Sequence, residues 1–145
     1  MFNLFKRKVR ADGFSSLLAE KTLITGRVKY SGAFRIDGTV EGDVIPFDMT
    51  KELKGEHTLI VGQTGIIDAN FVRCTDAVIS GTVRAKKLIV HGTLQLEKTA
   101  KLTGVNIFYS RLQIAQGAYI TDCHLTNIAD TNFGQQKQPD QPADK

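Results

Sequence analysis

The sequence predicts an all-β protein, a single right-handed, three-sided parallel β-helix of about six coils. Three observations carry this reading. From Leu17 to Leu125 the chain repeats itself about every 18 residues. Within each repeat, apolar residues stand in pairs two positions apart, the period of a strand that turns one side inward. Glycines such as Gly38, Gly62, Gly81, Gly92 and Gly104 recur between the apolar stretches, where they can form sharp corners.

Segments that begin at Leu17, Phe34, Leu59, Ala77, Leu94 and Leu112 align, with Ala19, Ile36, Val61, Ile79, Leu96 and Ile114 two positions on. Eight positions on stand Ile67, Ala85, Leu102 and Ile120; thirteen on stand Val72, Val90, Ile107 and Leu125. The steps from Leu59 to Ala77, to Leu94 and to Leu112 are 18, 17 and 18 residues. Divided over three sides, such a period leaves about six residues per side, enough for a short strand and a corner. Ile79, Val90 and Leu96 are then expected inside, and Arg84 and Lys86 outside. The glycine spacing drifts, from 11 residues between Gly81 and Gly92 to 12 before Gly104, and no run of apolar-Gly hexads is sustained. A left-handed helix of strict hexapeptides does not fit; the less regular coil is usually right-handed.

Taken in order, residues 1–15 form an N-terminal segment with Met1, Phe2, Leu4 and Phe5 ahead of Lys6, Arg7 and Lys8. On a helix Phe2, Phe5 and Val9 would share a side, with the cations at the level of anionic headgroups, so the first eight residues are the candidate membrane-binding element. The apolar residues precede the charges and no apolar h-region follows, which excludes a secretory leader. No run approaches the ~18 residues of a membrane span.

Residues 16–130 form the β-helix. The step from Phe34 to Leu59 is 25 residues, so one coil carries an insertion, read as the surface loop 46–57, PFDMTKELKGEH. A β-helix must end on coils whose backbone groups lack a neighbour, and soluble monomers cover such ends. Here only Ala11 to Ser16 precede Leu17 and Leu18, and Ile128 and Phe133 are the apolar residues at the other end. These four are the candidate polymer interface. Residues 131–145, rich in Gln, Asp and Pro, read as a disordered tail.

The chain of 145 residues, with 41% hydrophobic and 23% charged residues, suits one soluble domain. Its net charge of +4 is concentrated at the start. Removing Lys6, Arg7, Lys8 and Arg10 from the 19 Lys and Arg leaves 15, equal to the 15 Asp and Glu. A coil domain neutral overall argues against nucleic acid as a partner. Cys74 and Cys123 fall three coils apart, about 14 Å at the ~4.8 Å strand spacing, beyond the ~7 Å reach of a disulfide. Free thiols suit a reducing, cytoplasmic compartment.

His57, His91 and His124 are the candidates for chemistry. His91 and His124 stand two coils apart, about 10 Å by the same spacing, too far to share a metal. No ligand spacing, phosphate loop or nucleophile elbow is present. No catalytic residue, metal or cofactor is therefore expected. The alternative reading is a β-helix acyltransferase acting as a trimer, with a histidine at the subunit interface.

The stretches FRIDGTVEGDV (34–44), LIVGQTGII (59–67), AVISGTVRAKKLIVHGTL (77–94), AKLTGVNI (100–107) and LQIAQGAYI (112–120) resemble the bactofilins, over about residues 17–125. The resemblance implies a right-handed three-sided β-helix with flexible termini. It implies polymerisation without nucleotide, head to head and tail to tail, through the helix ends. It further implies a scaffold on the inner face of the cytoplasmic membrane that places peptidoglycan-modifying enzymes or other cell-shape machinery. The 46–57 insertion departs from the family pattern.

Overall fold

A computed structural model of the protein describes residues 14–47 and 56–129. Every regular element there is a strand, and every pairing is parallel. The first coil contains β1 (Ser16–Leu18), β2 (Leu23–Thr25) and β3 (Val28–Tyr30); the second contains β4 (Ala33–Ile36), β5 (Thr39–Glu41) and β6 (Val44–Pro46). The third is β7 (Thr58–Val61) with β8 (Ile66–Cys74), the fourth β9 (Asp76–Ile79) with β10 (Thr82–Val90), and the fifth β11 (Thr93–Leu96) with β12 (Lys101–Tyr109). The last coil contains β13 (Arg111–Ile114), β14 (Tyr119–Thr121) and β15 (His124–Asn127).

Six coils stack into three faces. The first face is the six-stranded sheet β1-β4-β7-β9-β11-β13. The nine-stranded sheet supplies the other two, because its nine-residue strands turn a corner. The leading halves of β8, β10 and β12 pair with β5 and β14 to make the second face. Their trailing halves pair with β6 and β15 to make the third.

The alternation of each strand lays three apolar columns along the axis. One column runs Leu18, Ile36, Val61, Ile79, Leu96, Ile114; the second runs Ile24, Val40, Ile67, Val83, Leu102, Ile120; the third runs Val28, Val44, Val72, Leu88, Ile107, Leu125. From the second coil to the fifth, all twelve of these side chains are buried. Each contributes about 1.5–3 kcal/mol by leaving water. Ile79, Val90 and Leu96 are inside and Arg84 and Lys86 exposed, as the alternation requires.

The corner between the second and third faces sets what the chain can place there. In the second coil it holds Gly42 at φ +152°, a backbone conformation open to glycine. In the next three coils the strand runs through, and Ala69, Ala85 and Gly104 stand in register. A Cβ on Gly104 would collide with the Ala85 carbonyl oxygen, so this corner admits only small residues.

Two registers differ from the sequence alignment. In the first coil Ser16 pairs with Phe34 and Leu18 with Ile36, so Leu18 points inward and Leu17 outward, at 51% exposure. The alignment on Leu17 was slipped by one, which exchanges the two sides of a strand. In the fourth coil Val83, not Ala85, pairs with Ile67 and Leu102, and Leu88, not Val90, pairs with Val72 and Ile107. The cause is a short corner: Ser80 and Gly81 alone separate β9 from β10, whereas residues 62–65 and 97–100 separate the strands of the neighbouring coils. A slip of two preserves the sides, so Ala85 and Val90 remain inside.

Pro46 also belongs to the coil rather than to the loop. It is buried in β6 opposite Tyr30, and the Phe47 N–H donates to the Tyr30 carbonyl at 2.6 Å. Proline fits because the donor that continues this ladder comes from the next residue. At the other side of the insertion His57 is buried. The stretch 48–55, the N-terminal residues 1–13 and the tail from 130 onward lie outside the described residues.

Candidate functional site: the two ends of the stack

An interior strand of this fold has a hydrogen-bonded neighbour on both sides. Among the described residues the end coils have one on a single side: β1, β2 and β3 pair only with the second coil, and β13, β14 and β15 only with the fifth. Each end therefore presents three strand edges, the kind of surface on which a further strand can pair.

The side chains at the last coil add an apolar patch to those edges. Ile114, Ile120 and Leu125 continue columns whose fifth-coil members, Leu96, Leu102 and Ile107, are each 1% exposed. With no described strand stacked beyond them, Ile114 is 48% and Leu125 40% exposed, and Ile120 is half-buried. Tyr119 stands on the outer side of the same coil at 59%. At the first coil Leu18 is buried, Ile24 and Val28 are half-buried, and the open apolar groups are the outward Leu17 and Leu23, with Phe14 exposed just before β1.

The four interface residues read from the sequence therefore fall in different places. Leu17 is exposed, on the outer side of the first coil. Leu18 belongs to the core. Ile128 is buried, and its N–H donates to the Tyr109 carbonyl at 2.7 Å, closing the last rung. Phe133 lies outside the described residues, as do Met1, Phe2, Leu4, Phe5, Lys6, Arg7 and Lys8. Sequence reasoning missed Leu23, Ile114, Tyr119 and Leu125 as surface groups. Ile114 and Leu125 sit in inward columns and so look like core unless the last coil is recognised as last.

The histidines are spread over the fold. His57 Nδ1 accepts from the Gly32 N–H at 3.4 Å, its backbone N–H donates to Thr75 Oγ1 at 3.2 Å, and its ring meets Tyr30 edge-on at 6.2 Å. His91 Nε2 accepts from Arg73 Nε at 2.9 Å. Burial first, and the Arg73 charge second, hold the His91 pKa below the ordinary imidazole value. His124 is exposed on the last coil. Among the described residues no cluster of three metal-ligating side chains occurs. Both cysteines are free. Burial, with the Asp76 charge second, pushes the Cys74 thiol far up, and burial raises Cys123 as well. Both are poor thiolate nucleophiles. A shallow groove follows the corner of the long strands, with Ala69, Ala85 and Gly104 along it and Asp68 and Arg84 paired at 3.8 Å beside it.

No helix of the described residues is long and apolar enough to cross a membrane. The family model for bactofilins, described as polymer-forming cytoskeletal, matches residues 16–123, from the first residue of β1 to the corner before β15. No curated protein and no solved structure matches the chain. A match spanning all but the last strand of the stack, over well more than half of the sequence, places this protein in the bactofilin family of polymer-forming cytoskeletal proteins.

Proposed function

We propose that the protein is a cytoskeletal scaffold that assembles end to end without nucleotide, lies on the inner face of the cytoplasmic membrane, and positions cell-wall or cell-shape machinery. The observation that carries this reading is the uncovered last coil, where Ile114 and Leu125 stand open in columns that are otherwise buried. A second copy stacked there continues the ladders and covers the columns. Burying the remaining half of Ile114 and Leu125 contributes about 1 kcal/mol for each, and paired strand edges add main-chain hydrogen bonds. Backbone pairing and apolar burial consume no nucleotide. Leu17 on the first coil and Phe133 beyond the last described strand are assigned to the same longitudinal contacts.

The N-terminal segment is the membrane element in this reading. Each cation near an anionic surface contributes about 1 kcal/mol, so one copy binds weakly. A filament presents many copies, and linked sites raise the effective concentration. Assembly and attachment therefore reinforce each other. A non-catalytic role is supported by His91, which is engaged with Arg73, and by two cysteines held as thiols.

The test is negative-stain electron microscopy of the purified chain without nucleotide or metal. Long, uniform filaments a few nanometres wide are expected; discrete trimers would overturn the proposal and restore the acyltransferase alternative.

A further inference from the structure

Residues 16–130 are close to neutral, with 13 Lys and Arg against 12 Asp and Glu, but the three faces are not alike. Strand residues facing outward on the first face include Arg35 and Arg111 against Asp76, with Asp37 and Glu97 at its corner. On the second face Arg84 and Lys101 stand against Glu41 and Asp68. On the third face the outward strand charges are Lys29, Arg73 and Lys87, with Arg27 and Asp43 immediately before β3 and β6. Asp43 is engaged, its Oδ1 accepting the backbone N–H groups of Asn70 and Phe71 at 3.2 and 3.0 Å. Arg73 is occupied by His91. Arg27, Lys29 and Lys87 are exposed cations on this face.

The same face has three outward aromatic groups, where the second face has Tyr119. Phe47 is 71% exposed at the end of the second coil, and Phe71 and Phe108 are half-buried in the third and fifth. Cations and rings are interleaved: Lys29 Nζ lies 5.9 Å from the Phe47 ring centre, and Lys87 Nζ lies 5.8 Å from that of Phe108. Between them Ile45 and Ile89 take outward register positions and are buried beneath these longer side chains, so the exposed groups of the face are the cations and Phe47.

We infer that this third face is a docking surface for an anionic lipid bilayer, with Arg27, Lys29 and Lys87 at the phosphates and Phe47 entering the headgroup layer. Aromatic rings flanked by cations are the composition of side chains that settle at a membrane interface. A single-stranded nucleic acid would also attract the cations, but it binds by stacking bases on open ring faces. Here an ammonium group lies over the Phe47 and Phe108 rings. The inference rests on the membrane reading above for its partner, and on different residues for its surface.

The experiment is co-sedimentation of full-length filaments with vesicles of mixed phosphatidylglycerol and phosphatidylcholine, and with phosphatidylcholine alone. The triple variant Arg27→Gln, Lys29→Gln, Lys87→Gln is expected to lose about five-fold in affinity for anionic vesicles per cation, roughly a hundred-fold in all. The control triple Arg84→Gln, Lys86→Gln, Lys101→Gln removes the same charge from elsewhere and is expected to lose less than about five-fold. Phe47→Ser is expected to weaken binding while leaving filaments intact by microscopy. Equal losses in the two triples would make the effect one of net charge and overturn the inference. Wild-type binding by the face variant, with binding abolished by deleting residues 2–8, would overturn the inference and leave the membrane reading standing. No binding of the wild-type filaments to anionic vesicles would overturn both. A face variant that loses only single-stranded DNA in a gel-shift assay, with vesicle binding unchanged, would also overturn it.

Discussion

At the first coil the three columns begin with Leu18, buried, and Ile24 and Val28, half-buried; at the last they finish with Ile114 and Leu125 open and Ile120 half-buried. The residue types are much the same, so composition does not separate the two ends. What separates them is how far the end coil is covered. An apolar column is stable where a rung lies on both sides, and the same side chain becomes a docking group where a rung is missing. Under the proposed end-to-end assembly the two ends are unequal contacts, because only at the last coil are members of the inward columns themselves open.

The largest effect should come from placing one charge at two heights of the same structure. Leu96 is 1% exposed in the fifth coil and Leu125 is 40% exposed in the sixth. Leu96→Asp buries a carboxylate without a partner and is expected to cost more than about 4 kcal/mol, enough to abolish the native state. Leu125→Asp leaves its carboxylate access to water and is expected to cost about 1–2 kcal/mol in the isolated chain. Circular dichroism and thermal melting check both; a native spectrum and melting point for Leu96→Asp would refute the inward assignment.

The same contrast applies to assembly. Ile114→Arg with Leu125→Arg puts two charges on the last coil while leaving the first untouched. Filaments are expected to be lost, and sedimentation velocity should find dimers joined through their first coils. Leu23→Arg at the opposite end is expected to shorten filaments less. Long filaments from the double variant would mean that the last coil is not a longitudinal contact. Phe133→Arg is expected to leave the coil folded and to abolish filaments in the same assay.

Much of this was legible from the period alone. Apolar pairs two apart fixed three sides, the parallel ladders and most of the core, because a stack repeats its inward positions at each turn. Leu17 and Leu18 were not separable, since LLA offers three apolar residues in succession and alternation needs a polar one to set its phase. The fourth coil was displaced by two residues because nothing local announces that Ser80 and Gly81 make a shorter corner. The open end was hidden for a different reason: Ile114 and Leu125 satisfy the repeat, and nothing in their own stretch of sequence marks theirs as the last described coil. The cationic face was hidden by the balanced total, since Arg27, Lys29 and Lys87 share a side only once the turns are in register.

A smaller effect tests the interior against pH. His91 titrates below its ordinary value because burial and Arg73 disfavour the imidazolium. The unfolded chain, with a histidine pKa of about 6.5, then binds a proton before the folded one does. Stability contributed by the neutral ring is present above about pH 6.5 and falls as pH drops from there toward the folded value. Melting temperatures measured across this window should decline, and His91→Gln should decline less. Identical profiles for the two proteins would remove His91 from the acid response.

The smallest expected effect is at Asp122, whose backbone geometry contrasts with that of its counterpart in the neighbouring coil. Gly104 and Asp122 hold equivalent places, since Thr103 pairs with Thr121 immediately before them. Gly104 is confined by the Ala85 carbonyl, so a side chain there has nowhere to go. Asp122 has space at the end of the stack but adopts φ +56°, a left-handed conformation that aspartate tolerates at a cost of about 1 kcal/mol. Asp122→Gly should therefore stabilise the isolated chain by up to about 1 kcal/mol, whereas Gly104→Asp should destabilise it severely. Denaturant unfolding measures both. If Asp122→Gly is destabilising, its carboxylate contributes more to the last coil than the backbone conformation costs, and the end would be held by that side chain rather than merely permitting it.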